Sequence, residues 1–243
     1  MRYAVLADIH ANLAALEAVL DDIRGKGGVD ELWCLGDIVG YGPEPGECIR
    51  LLRKHCSVCV VGNHDLGAVG KLDLAYFNTA AAAACRWTAT RLSQVDSHYL
   101  ESLPLTLTQG DFFLVHGSPA EPVLEYIIST GIAVRNFSFF DARYCLVGHT
   151  HVPLAFKLDG AACSAVSLSP GVGLVVGKKR MIINPGGVGQ PRDGAPRASY
   201  AIYDSEGQMF RIYRVEYDIA ATQNKMVKAN LPMTLISRLE EGR

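Results

Sequence analysis

The chain alternates between two spacings of apolar residues. RYAVLAD (2–8) is a continuous apolar run of strand length, and beyond it Leu13, Leu16, Val19, Leu20 and Ile23 recur at helical spacing until Gly25, Gly27 and Gly28 end the pattern. ELWCLGD (31–37) repeats the strand signal, PGECIRLLRKH (45–55) reads as a helix and SVCVVGN (57–63) as a third strand. Residues 76–103 carry a helical pattern, with alanines at 80–84 that suit close packing. FFLVHG and RYCLVGHT then resume the strand pattern. Past Pro153, strand-like runs near 154–158, 180–183, 199–203 and 209–215 are separated by Gly, Pro and Asp turns, and the last 25 or so residues look helical. Parallel β-α units followed by an antiparallel half predict an α/β (α+β) fold in one domain, residues 1–243. Its expected form is a four-layer αββα sandwich, two mixed β-sheets packed face to face with helices outside.

Composition narrows the classes of function. An apolar content of 49% over 243 residues is enough for a sizeable core. A formal net charge of −2, with both signs scattered along the chain, makes no field for long nucleic acid or an anionic membrane. The first residues, MRYAVLADIH, already read as a strand and not as a secretion signal, and no run reaches membrane-spanning length. Seven cysteines at irregular spacings do not read as a disulfide framework. The expected compartment is therefore reducing, hence cytoplasmic. Cys56 and Cys59 form a C-x-x-C, but no second such pair exists to complete a zinc site, and an apolar strand favours inert thiols.

Candidate chemistry sits at the strand ends. Five of them close on ADIH, LGD, VGNHD, VHG and VGHTH, and five of the seven histidines lie there. Each block alone is weak: D-x-H and G-D arise by chance, G-N-H-D is at best a turn, and two histidines at G-H-x-H would by default be a core or surface pair. Together they are informative. In an open α/β sheet, ligands bind outside the carboxyl ends of the strands, so the five tips converge on one crevice.

In this order the blocks resemble the calcineurin-like metallophosphoesterase family, whose pattern runs D-x-H, G-D, G-N-H-[DE], H, G-H-x-H. GDIVGYGP and NPGGVGQPRDG further resemble segments of its small bacterial and archaeal phosphodiesterase branch. The resemblance implies two divalent metal ions with Asp37 as the bridge. Asp8, His10 and His151 would complete one metal, and Asn63, His116 and His149 the other. Mixed imidazole and carboxylate donors without thiolate suit manganese, iron, zinc or nickel. Only Asp8 and Asp37 are anionic in this set, so two dications leave a positive site that attracts a phosphoester and lowers the pKa of bound water toward ~7.

The same resemblance leaves His64 off the metals and over the phosphoryl group, donating to the leaving oxygen as a general acid, which would give the pH profile an alkaline limb, or to the developing equatorial charge, against the alternative of a histidine behind the ligands or at the surface. Asp65 either orients that ring or caps a helix. Arg192, in a glycine- and proline-rich loop, is a candidate for substrate binding, against the alternative of an exposed turn residue. GDIVGYGP lacks the phosphate-gripping arginine that follows the G-D aspartate in the protein-phosphatase branch, which argues against a protein phosphatase, and Tyr41 is a candidate pocket wall. Tyr76, Phe77 and the segment 119–142 would cap the pocket, form core or make a homo-oligomer interface. The expected activity is phosphodiester hydrolysis of small nucleotide-like substrates by in-line attack of a metal-bridging hydroxide. The alternatives are a phosphomonoesterase or dinucleoside-polyphosphate hydrolase, or a non-catalytic metal-binding scaffold.

Overall fold

The computed structural model of the chain describes residues 1–243. Its first section is β1 (Arg2–Leu6), α1 (Leu13–Gly25), β2 (Glu31–Cys34), α2 (Pro45–His55), β3 (Val58–Cys59) and α3 (Asn63–Ala68). A 3₁₀ turn at Leu74–Tyr76 leads into α4 (Thr79–Ala89) and α5 (Gln94–Ser102). Next come β4 (Thr106–Gln109), β5 (Phe112–Val115), α6 (Thr130–Asn136), β6 (Tyr144–Leu146) and β7 (Leu154–Asp159). The remainder is β8 (Ala162–Ser167), β9 (Gly173–Val175), β10 (Arg180–Asn184), β11 (Ala198–Asp204), β12 (Met209–Val215), α7 (Ile219–Lys228) and α8 (Met233–Glu241).

The strands form two six-stranded mixed sheets, in the orders β3-β2-β1-β11-β12-β9 and β4-β5-β6-β10-β7-β8. Strand periodicity explains why β1 is apolar throughout: Ala4 and Leu6 face the helices outside, while Val5 and Ala7 face the other sheet. In the second sheet Tyr144, Leu146, Met181 and Ile183 face the first sheet, whereas Cys145 and Ile182 pack outward beneath α6. Trp33, Phe112, Tyr203 and Phe210 fill the space between the sheets, and each large apolar side chain buried this way contributes roughly 1.5–3 kcal/mol. The αββα expectation therefore holds.

Three details differ from the sequence reading. The helical stretch 76–103 is broken where Ser93 Oγ accepts from Asp96 N–H while the Asp96 carboxylate accepts from Ser93, a reciprocal cap that starts α5. Asn230 at φ 53° and Pro232 likewise divide the C-terminal helical stretch into α7 and α8. The strands past Pro153 are not all antiparallel, because β10 pairs antiparallel with β7 but parallel with β6.

Candidate metal centre

The carboxyl ends of β1, β2 and β3 in one sheet meet those of β5, β6 and β10 in the other. Two bonds across the sheets register the junction: His149 N–H donates to Asp8 Oδ1 at 3.1 Å, and His116 Nδ1 donates to the Leu35 carbonyl at 2.8 Å. The chain turns its side chains into this crevice by leaving the β region abruptly. Asp8, His10, Asp37, His149 and His151 have φ of 55°, 50°, 52°, 66° and 60°, the left-handed conformation that L-residues adopt at a cost of about 1–2 kcal/mol each. Close backbone approach makes this possible. A Cβ on Gly62 would stand 2.1 Å from Asp37 Oδ1, and one on Gly36, itself at φ 86°, would stand 2.6 Å from Gly62 N.

All seven residues marked out by the motifs are gathered here, and all are buried. Asp8, His10, Asp37 and His151 form one donor cluster, and Asp37, His116 and His149 a second, each with its donor atoms within 4.8 Å of one another. Asn63, the first residue of α3, adds its Oδ1 at 3.0 Å from His116 Nε2. A single atom, Asp37 Oδ2, connects the clusters: it lies 3.5 Å from His10 Nε2 and 3.4 Å from His116 Nε2.

The hydrogen bonds behind the histidines show that this arrangement suits cations. Val39 O lies 3.1 Å from His10 Nδ1, and Gln190 O accepts from His151 Nδ1. A carbonyl can only accept, so these Nδ1 atoms carry the protons, and the inward Nε2 atoms of neutral rings present lone pairs. Burial holds both rings neutral, well below the ordinary imidazole range. The two Nε2 atoms nevertheless face each other at 3.2 Å, and Asp8 Oδ1 stands 3.5 Å from His151 Nε2. Ring nitrogens and carboxyl oxygens converge here, and no hydrogen bond of normal geometry reaches the buried Asp8 Oδ2 or Asp37 Oδ2. In the second cluster His149 is reversed, donating from Nε2 to Leu124 O at 3.2 Å and turning Nδ1 toward His116 Nε2 at 3.2 Å. The residues present thus fit divalent metals with imidazole, carboxylate and amide donors.

The charges are unevenly held. Burial pushes the Asp8 carboxyl up to about 7. Burial also opposes charge on Asp37, yet His116 and His64 beside it hold that carboxyl well below the usual carboxylate range. His116 responds in kind: burial alone would lower it, but Asp37 raises it to about 9.

His64 follows Asn63 at the edge of the crevice. Its ring packs at 4.2 Å from Tyr41, 4.8 Å from His10 and 5.0 Å from Phe77, between centroids. Burial brings its pKa down to about 4, which disfavours the imidazolium form of the ring near pH 7. Asp65 makes no hydrogen bond to that ring. Its carboxylate accepts from Gly62 N–H and Val39 N–H, both at 3.0 Å, fastening the start of α3 to the loop after β2. Arg192 reaches over the site from the loop after β10, donating to Tyr41 Oη at 3.2 Å and Gln190 Oε1 at 3.1 Å.

A cleft of about 300 Å³ opens onto Asn63, His64 and His149, with Tyr41, Tyr76, Phe77 and Tyr126 among its walls. The segment 119–142 divides its work. Leu124 and Tyr126 face the cleft, Tyr126 stacked on His149 with centroids 3.8 Å apart, while Ile127, Ala133, Phe137 and Phe140 pack onto the outer face of the second sheet. Sequence reasoning passed over Asn184, which donates to Gly148 O and Thr150 Oγ1 and so holds the G-H-T-H loop, and over Cys85 against His64. Their only signal was an asparagine at a strand end and a cysteine among alanines. Cys56 and Cys59 are free; contact with Cys34 and Cys56 together with burial pushes the Cys59 thiol up, which suits inert thiols. No helix is long and apolar enough to cross a membrane.

Comparison with known proteins gives the same picture. The family model for the calcineurin-like phosphoesterase superfamily domain matches residues 1–208. The crystal structure of a metallophosphoesterase from Sphaerobacter thermophilus superposes with a TM-score of 0.91 at 49% identity, covering 100% of this chain and 99% of that one. An uncharacterized protein of Methanocaldococcus jannaschii is 40% identical over 244 residues, covering 99% of this chain and 98% of the relative. A symmetrical bis(5'-nucleosyl)-tetraphosphatase of Pseudomonas putida is 46% identical over 66 residues, only 26% of this chain and 23% of the relative. Paired histidine and carboxylate clusters at the carboxyl ends of two packed sheets, with a family model spanning most of the chain, place this protein in the calcineurin-like phosphoesterase superfamily, whose members are metal-dependent hydrolases of phosphoesters.

Proposed function

We propose that the chain is a dinuclear metal-dependent phosphodiesterase acting on small nucleotide-like diesters. The observation that carries this reading is the single oxygen Asp37 Oδ2 shared by two donor clusters, beside a cleft of about 300 Å³ walled by aromatic rings. In this reading Asp8, His10, Asp37 and His151 hold one ion, and Asp37, Asn63, His116 and His149 the other. What two such metals supply when bound is Lewis acidity at the phosphoryl oxygens and a lowered pKa for a bound water. The chain does the rest. Arg192 takes a phosphoryl oxygen through its guanidinium, whose Nε is buried and unpartnered. His64 donates from Nε2 to the leaving oxygen or the equatorial oxygens. Tyr126, Tyr76 and Phe77 exclude water and offer flat apolar faces to a nucleobase.

A dinucleoside-polyphosphate substrate is the second reading, favoured by the 66-residue match to the Pseudomonas putida tetraphosphatase and by the same aromatic walls. The test is hydrolysis of diesters, monoesters and dinucleoside polyphosphates by protein loaded with manganese, iron, zinc or nickel. Preference for diesters supports the first reading; faster cleavage of the polyphosphates replaces it with the second. Absence of any metal-dependent hydrolysis overturns both and leaves a metal-binding scaffold.

A further inference from the structure

Cys85 lies on the buried face of α4 with no solvent exposure, and its Sγ stands 3.3 Å from His64 Nδ1. No other side chain supplies that nitrogen with a hydrogen bond. At Gly40, a Cβ would already stand 2.5 Å from Nδ1, so the loop brings bare backbone there, and the Asp65 carboxylate is engaged by Gly62 and Val39. Tyr41, Phe77 and His10 box the ring on its other sides. Nε2 makes no hydrogen bond within the protein and is not among the fully buried unpaired atoms, so it is the nitrogen left for the cleft.

We propose that Cys85 is a positioning residue, whose thiol donates S–H to His64 Nδ1 and thereby fixes the ring as the tautomer carrying its proton on Nε2. This rests on the reading of His64 given above. The direction follows from chemistry: a neutral imidazole has one donor and one acceptor nitrogen, and sulfur is a poor acceptor. The reverse bond, Nδ1–H to sulfur, would leave Nε2 a bare lone pair with nothing to offer an oxygen that gains negative charge. Burial also keeps the thiol protonated, pushed up to about 12. No proton leaves the thiol; its hydrogen bond sets which end of the ring faces substrate.

The test compares Cys85→Ala, which removes the donor, with Cys85→Ser, which keeps one. Nitrogen-15 NMR of the imidazoles in chelated protein, with His64 assigned through His64→Ala, reads the tautomer without any need for activity. Wild type and Cys85→Ser should show the proton on Nε2, and Cys85→Ala a mixture or the Nδ1–H form. In metal-loaded protein, Cys85→Ala should lower kcat on a diester with a poor alkoxide leaving group by about 3- to 10-fold, the worth of one hydrogen bond, with KM and metal content unchanged. Cys85→Ser should restore most of that loss, and in a His64→Ala background Cys85→Ala should have no further effect. An unchanged tautomer, or an equal loss in both serine and alanine variants, would overturn the proposal. If His64→Ala itself leaves kcat unaltered, the reading of His64 fails on its own account, while the NMR comparison still decides whether the thiol sets the tautomer.

Discussion

Asp8→Asn should make the metal-free protein more stable, and by an amount that grows with pH. Asp8 is wholly buried, with Oδ1 accepting from His149 N–H and Oδ2 accepting nothing, and its carboxyl is pushed up to about 7 from an ordinary 3.8. Because the folded value is the higher one, the native state holds a proton that the unfolded chain has lost, and stability falls as pH rises from about 4 to about 7. At 1.36 kcal/mol per pH unit the deficit is about 1.6 kcal/mol at pH 5 and about 4 kcal/mol at pH 8, an upper figure because water and dipoles relax around a buried charge. Asparagine is nearly isosteric, retains an acceptor for His149 N–H and has no charge to bury. Denaturant unfolding of chelated wild-type and variant proteins at pH 5 and pH 8 measures the difference. For a chain of this length 1 kcal/mol is worth about 2–4 °C, so the gap is also visible by thermal melting. Added metal should reverse the order, because the wild type gains binding free energy that the variant has largely lost. A chelated variant no more stable than wild type at pH 8, or a gap that does not change with pH, would refute the idea that the unfilled site burdens the fold.

Three further expectations concern the site. Metal-reconstituted wild type should hold about two ions per chain by elemental analysis; Asp37→Asn should weaken both, and His151→Ala mainly one, so equal loss of both from His151→Ala would undo the division of ligands. Arg192→Ala should raise KM severalfold with metal content intact, and unchanged kinetics would return Arg192 to a bracing role between Tyr41 and Gln190. His64→Ala should lower kcat by ~10²-fold, as loss of one positioned donor does. Since the ring titrates near about 4, the kcat profile should show no His64 limb between pH 6 and 9, and an alkaline limb that disappears in the variant would show that the ring works as a cation after all.

The strands that carry the site were legible because both of their faces are buried. β1, β2, β5 and β6 read as unbroken apolar runs, each ending on a polar residue that has no place in a core. β8 (ACSAVS) and β9 (GLV) were not legible: they are half-exposed edge strands, one mostly of small residues and the other three residues long, paired with β7 and β12 and only partly buried. The short β4 is also half-exposed and was missed for the same reason. Within the site, the motifs located seven candidate donors, but the partners of those donors could not be read. Val39, Leu35, Gln190 and Leu124 act through backbone carbonyls, which leave no trace in side-chain chemistry. Asp65 illustrates the opposite difficulty, because the same residue fits a ring partner or a cap, and only the distances to Gly62 and Val39 separate the two.

The backbone at the site and the charges within it follow one logic. Asp8, His10, Asp37, His149 and His151 all sit in the left-handed region, and strain of that kind persists only where surrounding structure over-determines it. Here the surroundings are two sheets whose interior and flanks are closed by apolar packing, so the strand ends have no freedom to relax. The result is a set of imidazole, amide and carboxyl groups fixed at mutual distances of about 3.0 to 3.5 Å before any cation arrives. Ligands that are already oriented need little reorganisation on binding, which favours affinity, while the metal-free fold carries their repulsion and strain. A substitution that relaxes the repulsion should therefore stabilise the fold and weaken the site together, and one that crowds the backbone at Gly62 should damage both.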